Sequence, residues 1–127
     1  MLTAMRVLDL SLKYEWYDEI EAERKKEEYR DLRSYYANRL LYHKPLGVKE
    51  YWDGALAKMR NTPTYNPENL VKDCGIREYD AVRFHRGQGG KKTMLLEYKG
   101  LAVGKGNPAW GAPDEYVFII KLGRRIG

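Results

Sequence analysis

The sequence predicts an α+β fold: a small β-barrel, mostly antiparallel, with flanking helices, built as one domain over residues 1–127. Three observations carry that expectation. Apolar residues recur at helical spacing through much of the first two-thirds, whereas segments near both ends alternate with a period of two. Nine of the twelve glycines lie after residue 83, where turns between strands and close backbone approaches need them. A chain of 127 residues with 43% hydrophobic side chains can bury a core, and strands from both ends can pair in one sheet.

The elements follow in order. Residues 6–12, RVLDLSL, set Leu8, Leu10 and Leu12 against Val7, Asp9 and Ser11, the pattern of a half-buried strand. Residues 13–22 read as a short helix with Trp16, Tyr17 and Ile20 on one face. Residues 25–30 then alternate as a charged strand, which sends Lys26, Glu28 and Arg30 to one side. Residues 31–42 read as a helix with a loose stripe of Leu32, Tyr35 or Tyr36, and Leu40, with Arg39 a further candidate for it, broken by the Pro45 and Gly47 region. Residues 48–59 are a further helix candidate, with Val48, Tyr51, Trp52, Ala55 and Met59 on a shared face, and residues 60–68 a loop. Asn66 as N-cap and Pro67 at the first helical position announce a short helix over residues 67–71, which Cys74-Gly75 stops. Strands follow at 81–85, 93–103 (bent at Gly100) and 115–122, separated by glycine-rich loops at 87–92 and 104–113.

Composition narrows the function classes. No stretch approaches the roughly 20 apolar residues of a membrane span. The first residues, MLTAMRVLDLSL, lack a basic region followed by a long apolar run, so no signal peptide is expected. A single cysteine, Cys74, cannot close an internal disulfide, which suits a reducing cytoplasm, and no motif around it marks a nucleophile. His43 and His85 are far apart, and no Cys or His spacing fits zinc, so neither metal nor cofactor is expected. GQGGKK lacks the spacing of a phosphate-binding P-loop and reads as a hairpin loop whose Lys91 and Lys92 can touch phosphates. The net charge of +5 is uneven: residues 83–127 hold nine basic and three acidic side chains, which favours an anionic partner, nucleic acid above all.

The segment KYEWYDEIEAERKKEEYR, residues 13–30, concentrates the candidate chemistry. Lys25 enters the strand from a turn, and Glu28 and Arg30 share a strand face, so the three are expected to converge on one cavity. Arg30 offers a planar fork for phosphate or carboxylate, Glu28 a carboxylate base, and Lys25 an amine. The bland alternative is an ion-pair row that closes the junction of helix and strand. Trp16, Tyr17 and Trp110 are candidates for base stacking, with core packing the alternative for Trp16. Asn107, beside Trp110 in GNPAWGAP, can read a base edge.

Lys13, Trp16, Ile20, Lys25, Glu28 and Arg30 resemble the signature of the ASCH domain family, a branch of the PUA-like folds, roughly K-x-x-W/F-x-x-x-I-x-x-G-x-K-x-x-E/T-x-R. The resemblance implies a PUA-like barrel and an RNA-binding role. Glu23 stands at the family's Gly position, where a left-handed turn makes a Cβ cost ~1 kcal/mol, so a differently shaped turn is expected. Some ASCH proteins are acetylcytidine amidohydrolases that use a Lys and a Thr of this motif with a distant Glu, and some are ribonucleases. Lys25 matches that Lys, and Glu28 stands at the Thr position, where a carboxylate offers a general base rather than a hydroxyl nucleophile. The resemblance thus implies binding of RNA or a nucleotide through Lys13, Lys25, Glu28 and Arg30. The alternatives are a small hydrolase of modified nucleosides, an RNA-cleaving enzyme, and a regulatory module that binds a protein or a small anion.

Overall fold

The computed structural model describes residues 4–42, 56 and 66–127. Five strands are present: β1 (Val7–Leu12), β2 (Glu27–Asp31), β3 (Ala81–Arg86), β4 (Thr93–Gly104) and β5 (Val117–Arg125). Three helices accompany them among the described residues, α1 (Tyr14–Glu21), α2 (Ser34–Leu40) and α3 (Leu70–Cys74), with 3-10 turns at Pro67–Asn69 and Pro108–Trp110. The strands form one sheet in the order β1-β3-β4-β5-β2, so the chain is a small α+β fold. The helix expected at residues 48–59 lies outside the described residues except for Leu56, which is buried.

The expected mostly antiparallel sheet is mixed. β3 and β4 are antiparallel, with Ala81 opposite Glu97, but β1 and β3 run parallel, with Val7 opposite Ala81 and Leu12 opposite Arg86. A parallel pair needs a crossover rather than a tight turn. The long chain between Leu12 and Ala81 supplies it, and no local pattern in the sequence reports it.

The chain divides into two compact units. The first comprises Met1–Glu28, Glu78–Gly100 and Lys121–Gly127. Its core joins Leu8, Leu10 and Leu12 of β1, Tyr17 and Ile20 of α1, Val82 and Phe84 of β3, and Met94 and Leu96 of β4. Alternation along β1 places its leucines inward as expected. β5 runs further than expected, to Arg125, because Gly123 lets it continue past Glu97. A Cβ on Gly123 would lie 2.8 Å from Glu97 Cβ.

The second unit comprises Tyr29–Arg77 and Leu101–Ile120. Asn66 Oδ1 accepts a hydrogen bond from the Glu68 amide at 3.1 Å, the cap expected before Pro67. Gly75, at φ 73°, ends α3. α2 begins only at Ser34, with Ser34, Ala37 and Leu40 inward; of the expected stripe, Leu32 and Leu40 are buried and Tyr36 is half-buried, whereas Tyr35 is 58% exposed. The loop expected at 104–113 contains an ordered 3-10 turn, which Asn107 Oδ1 caps by accepting from the Ala109 amide at 3.0 Å.

Candidate functional site

The site begins at the end of α1. The Glu23 amide donates to the Ile20 carbonyl at 3.0 Å, and the Arg24 amide to the Glu19 carbonyl at 3.0 Å, the bonding of a left-handed helix cap. Glu23 accordingly has φ 63°, the only positive-φ residue other than glycine among the described residues. The differently shaped turn expected from a Glu at this place is therefore corrected: the turn keeps the left-handed form and accepts the strain. The Arg24 guanidinium reinforces it, donating to both carboxylate oxygens of Glu19 at 2.9 Å. That bond is the main cause that holds the Glu19 carboxyl below its ordinary range.

The cap turns the chain so that the Lys25 amide donates to the Glu19 carbonyl at 3.2 Å and the Lys25 side chain enters the interior. Lys25 and Glu28 are both buried, 3% and 6% exposed, and Lys25 Nζ lies 3.1 Å from Glu28 Oε1. Trp16, half-buried on α1, places its ring centroid 5.0 Å from the same ammonium. Long charged side chains are buried only where partners meet them. Here a carboxylate and the negative face of an indole do so.

Lys25 lines a cavity of about 300 Å³. Ile20, Met94, Leu96 and Leu122 contribute apolar wall, while the exposed Lys26, Arg124 and Arg125 contribute cationic side chains. Glu21 also lines it and accepts from Lys92 Nζ and Arg125 Nη1, each at 3.2 Å. Arg124 is tied by its amide to Glu97 Oε1 at 3.1 Å, a bond that leads the effects keeping the Glu97 carboxyl below its ordinary range. Such a cavity can hold a planar apolar group against its wall and an anion at its basic side. A hydrogen-bond donor fixed by Glu28 stands in the wall.

The structure brings Trp16, Lys25 and Glu28 together, and it places the other expected residues apart from that cluster or in the second unit. Lys13 is exposed and lines a separate cleft at the start of α1. Lys91 is exposed in the β3–β4 hairpin, and its neighbour Lys92 is committed to Glu21, with the Tyr17 ring 5.5 Å from its ammonium. Tyr17 is wholly buried rather than available for stacking, and burial pushes its phenol above the ordinary range. Arg30 belongs to the second unit, where its Nη1 donates to Tyr36 Oη at 3.2 Å and its guanidinium lies 5.5 Å from the Tyr36 ring. Asn107 and Trp110 also belong to that unit. Besides capping its turn, Asn107 donates its amide to Tyr29 Oη at 3.0 Å, and Trp110 is half-buried.

Cys74 is buried, which raises its thiol above the ordinary range and leaves it a poor nucleophile. His85 Nε2 is 2.8 Å from Asp9 Oδ1, and His43 lies outside the described residues. Among the described residues no three His, Cys, Asp or Glu side chains gather as a metal ion requires, and no helix is long and apolar enough to cross a membrane. The sequence reading missed Arg124 and Arg125, because it ended the last strand at Leu122. The signal was present: two adjacent arginines, one residue beyond that strand, in the most basic third of the chain. Set beside protein-family models, curated proteins and solved structures, the chain matches none of them.

Proposed function

We propose that the chain is an ASCH-like member of the PUA-like barrels and binds RNA or a nucleotide in the cavity at Lys25. The observation that carries the reading is Lys25, buried and 3.1 Å from Glu28, in the wall of a cavity with apolar side chains and three further cationic ones. A buried ion pair is a weak device for stability alone. Set beside a cavity, it orients an amine toward whatever enters. Two further features support the family reading. Lys13, Trp16, Ile20, Lys25, Glu28 and Arg30 fit its spacing, and Glu23 takes up the left-handed turn for which the family uses Gly.

The test is titration with a single-stranded RNA oligonucleotide across roughly 50–200 mM salt. If Lys26, Arg124 and Arg125 each meet a phosphate, log K falls with log salt at a slope near −2, since each contact to a single strand contributes about −0.7. Arg124→Gln with Arg125→Gln brings the slope to about −0.7. A folded protein that binds no RNA at the lowest salt refutes the proposal.

A second reading, hydrolysis of a modified nucleoside, is favoured by Glu28, whose carboxylate is buried and anchored beside an amine donor. In it Lys25, which lines the cavity, steadies the oxygen that gains charge, and Glu28 behind it holds the amine and takes up the proton relayed from the attacking water. Incubation with acetylcytidine and chromatographic search for cytidine decides it, with Glu28→Gln as the control that must remain inactive.

A further inference from the structure

A second cleft of about 660 Å³ opens beside the first turn of α1, lined in part by Lys13, Tyr14, Gly87 and Gln88. Tyr14 is 60% exposed, yet its ring is held on two sides. The Arg86 guanidinium stacks on it with its central carbon 4.3 Å from the ring centroid. Arg86 is itself fixed, donating Nε to Asp18 Oδ1 at 2.9 Å and Nη2 to Asp18 Oδ2 at 3.0 Å. At the ring edge, Gly87 approaches so closely that a Cβ there would lie 2.5 Å from Tyr14 Cε1. Gly87 is kept in place by its own amide, which donates to the Leu12 carbonyl at 2.7 Å, and its φ of 81° suits glycine alone.

An exposed aromatic side chain usually loses rotamer freedom when a ligand stacks on it, and that loss opposes binding. Tyr14 has had its freedom removed in advance by Arg86, Asp18 and Gly87. The result is a rigid aromatic platform beside a cleft of small-molecule size. Lys13 adds a cation at its side, and the Gln88 amide can both donate to and accept from the edge of a base.

We propose that this cleft is a nucleobase subsite, distinct from the cavity at Lys25, in which the base stacks on Tyr14 and Lys13 meets the attached phosphate. Stacking on an aromatic ring does not depend on which base it is, because every base has a π-face. The subsite therefore takes a nucleotide with little base preference. The nucleotide is either free or one residue of an RNA strand.

The test follows the Tyr14 ring protons and the Gly87 and Gln88 amides by NMR during titration with adenosine 5′-monophosphate, ribose 5-phosphate and an oligoadenylate. The expected result is that adenosine 5′-monophosphate shifts these resonances and ribose 5-phosphate leaves them still. Tyr14→Phe keeps the affinity, and Tyr14→Ala weakens it about 5- to 160-fold, as the loss of one stacked base requires. Lys13→Gln weakens the nucleotide but not adenosine. Oligoadenylate at least tenfold tighter than the mononucleotide assigns the base to RNA, and equal affinity assigns it to the free nucleotide. Resonances that stay still for both nucleotide and oligonucleotide, that respond equally to ribose 5-phosphate, or that respond unchanged in Tyr14→Ala overturn the proposal. Because the readout is local to Tyr14, it is independent of whether the Lys25 cavity is filled.

Discussion

Replacing Lys25 by Met removes the ammonium 3.1 Å from Glu28 and leaves that carboxylate in a site where its side chain is 7% exposed. Breaking a buried pair from one side costs about 3–5 kcal/mol, because the remaining charge stays desolvated while an ion-pair partner 3.1 Å away is lost. For a chain of 127 residues, unfolding entropy of about 2.1 cal/mol/K per residue makes each kcal/mol worth roughly 4 °C in Tm. Lys25→Met should therefore lower Tm by about 12–20 °C, and Glu28→Leu by a comparable amount. The double variant Lys25→Met with Glu28→Leu is a different case. Apolar side chains of similar volume fill the same space without stranding a charge, so its stability should return to within about 1 kcal/mol of the original or exceed it. Thermal melts followed by circular dichroism, supported by urea titrations with unchanged m, read all three variants. Single variants that cost less than about 1 kcal/mol, or a double variant whose loss is the sum of the two, would refute the reasoning. Either result would mean that the two groups are solvated or energetically independent.

Two further outcomes follow from the same geometry. Glu23→Gly should stabilise the protein by up to ~1 kcal/mol, because relief of left-handed strain of about 1–2 kcal/mol outweighs the ~0.5–1 kcal/mol of extra chain entropy that Gly loses on folding, whereas Glu23→Val should destabilise it. Paired melts check the sign, and a Glu23→Gly protein that melts lower contradicts it. Acid should weaken the fold. Burial alone would raise the Asp9 carboxyl, but bonds from His85 and Arg83 outweigh it and hold it low, while Arg86 does so for Asp18, Arg24 for Glu19 and the Arg124 amide for Glu97. Folding favours the ionised form of each. The stabilisation is thus complete above their ordinary values of 3.8 and 4.5, and it is lost as pH falls through the lower folded values. Tm should hold between about pH 5 and 7 and decline below about 4.5, and a Tm that rises on acidification would contradict the assignment.

What the sequence displayed was local. Alternation in RVLDLSL gave the inward Leu8, Leu10 and Leu12, and Asn66-Pro67 gave a capped turn, because each depends on neighbours a few residues away. The parallel pairing of β1 with β3 depends on residues more than seventy positions apart, and nothing in either strand encodes it. Lys25 and Glu28 stood out because charges at a helix–strand junction break the usual pattern of burial. The cavity that Lys25 lines did not, since it is finished by Met94, Leu96, Arg124 and Arg125 from distant strands. Tyr14 and Arg86 escaped notice for the same reason: an exposed tyrosine and a strand arginine look ordinary until Asp18 and Gly87 are seen to lock them together.

Amide-resolved NMR titration of the labelled protein with single-stranded RNA at low salt tests the central claim most directly. The account predicts saturable shifts at residues 21–26 and 122–125, the two segments that frame the Lys25 cavity, and their loss in the folded Lys25→Met, Glu28→Leu double variant. Amides of those two segments that remain still while RNA binds elsewhere, or that shift identically in the double variant, would contradict it.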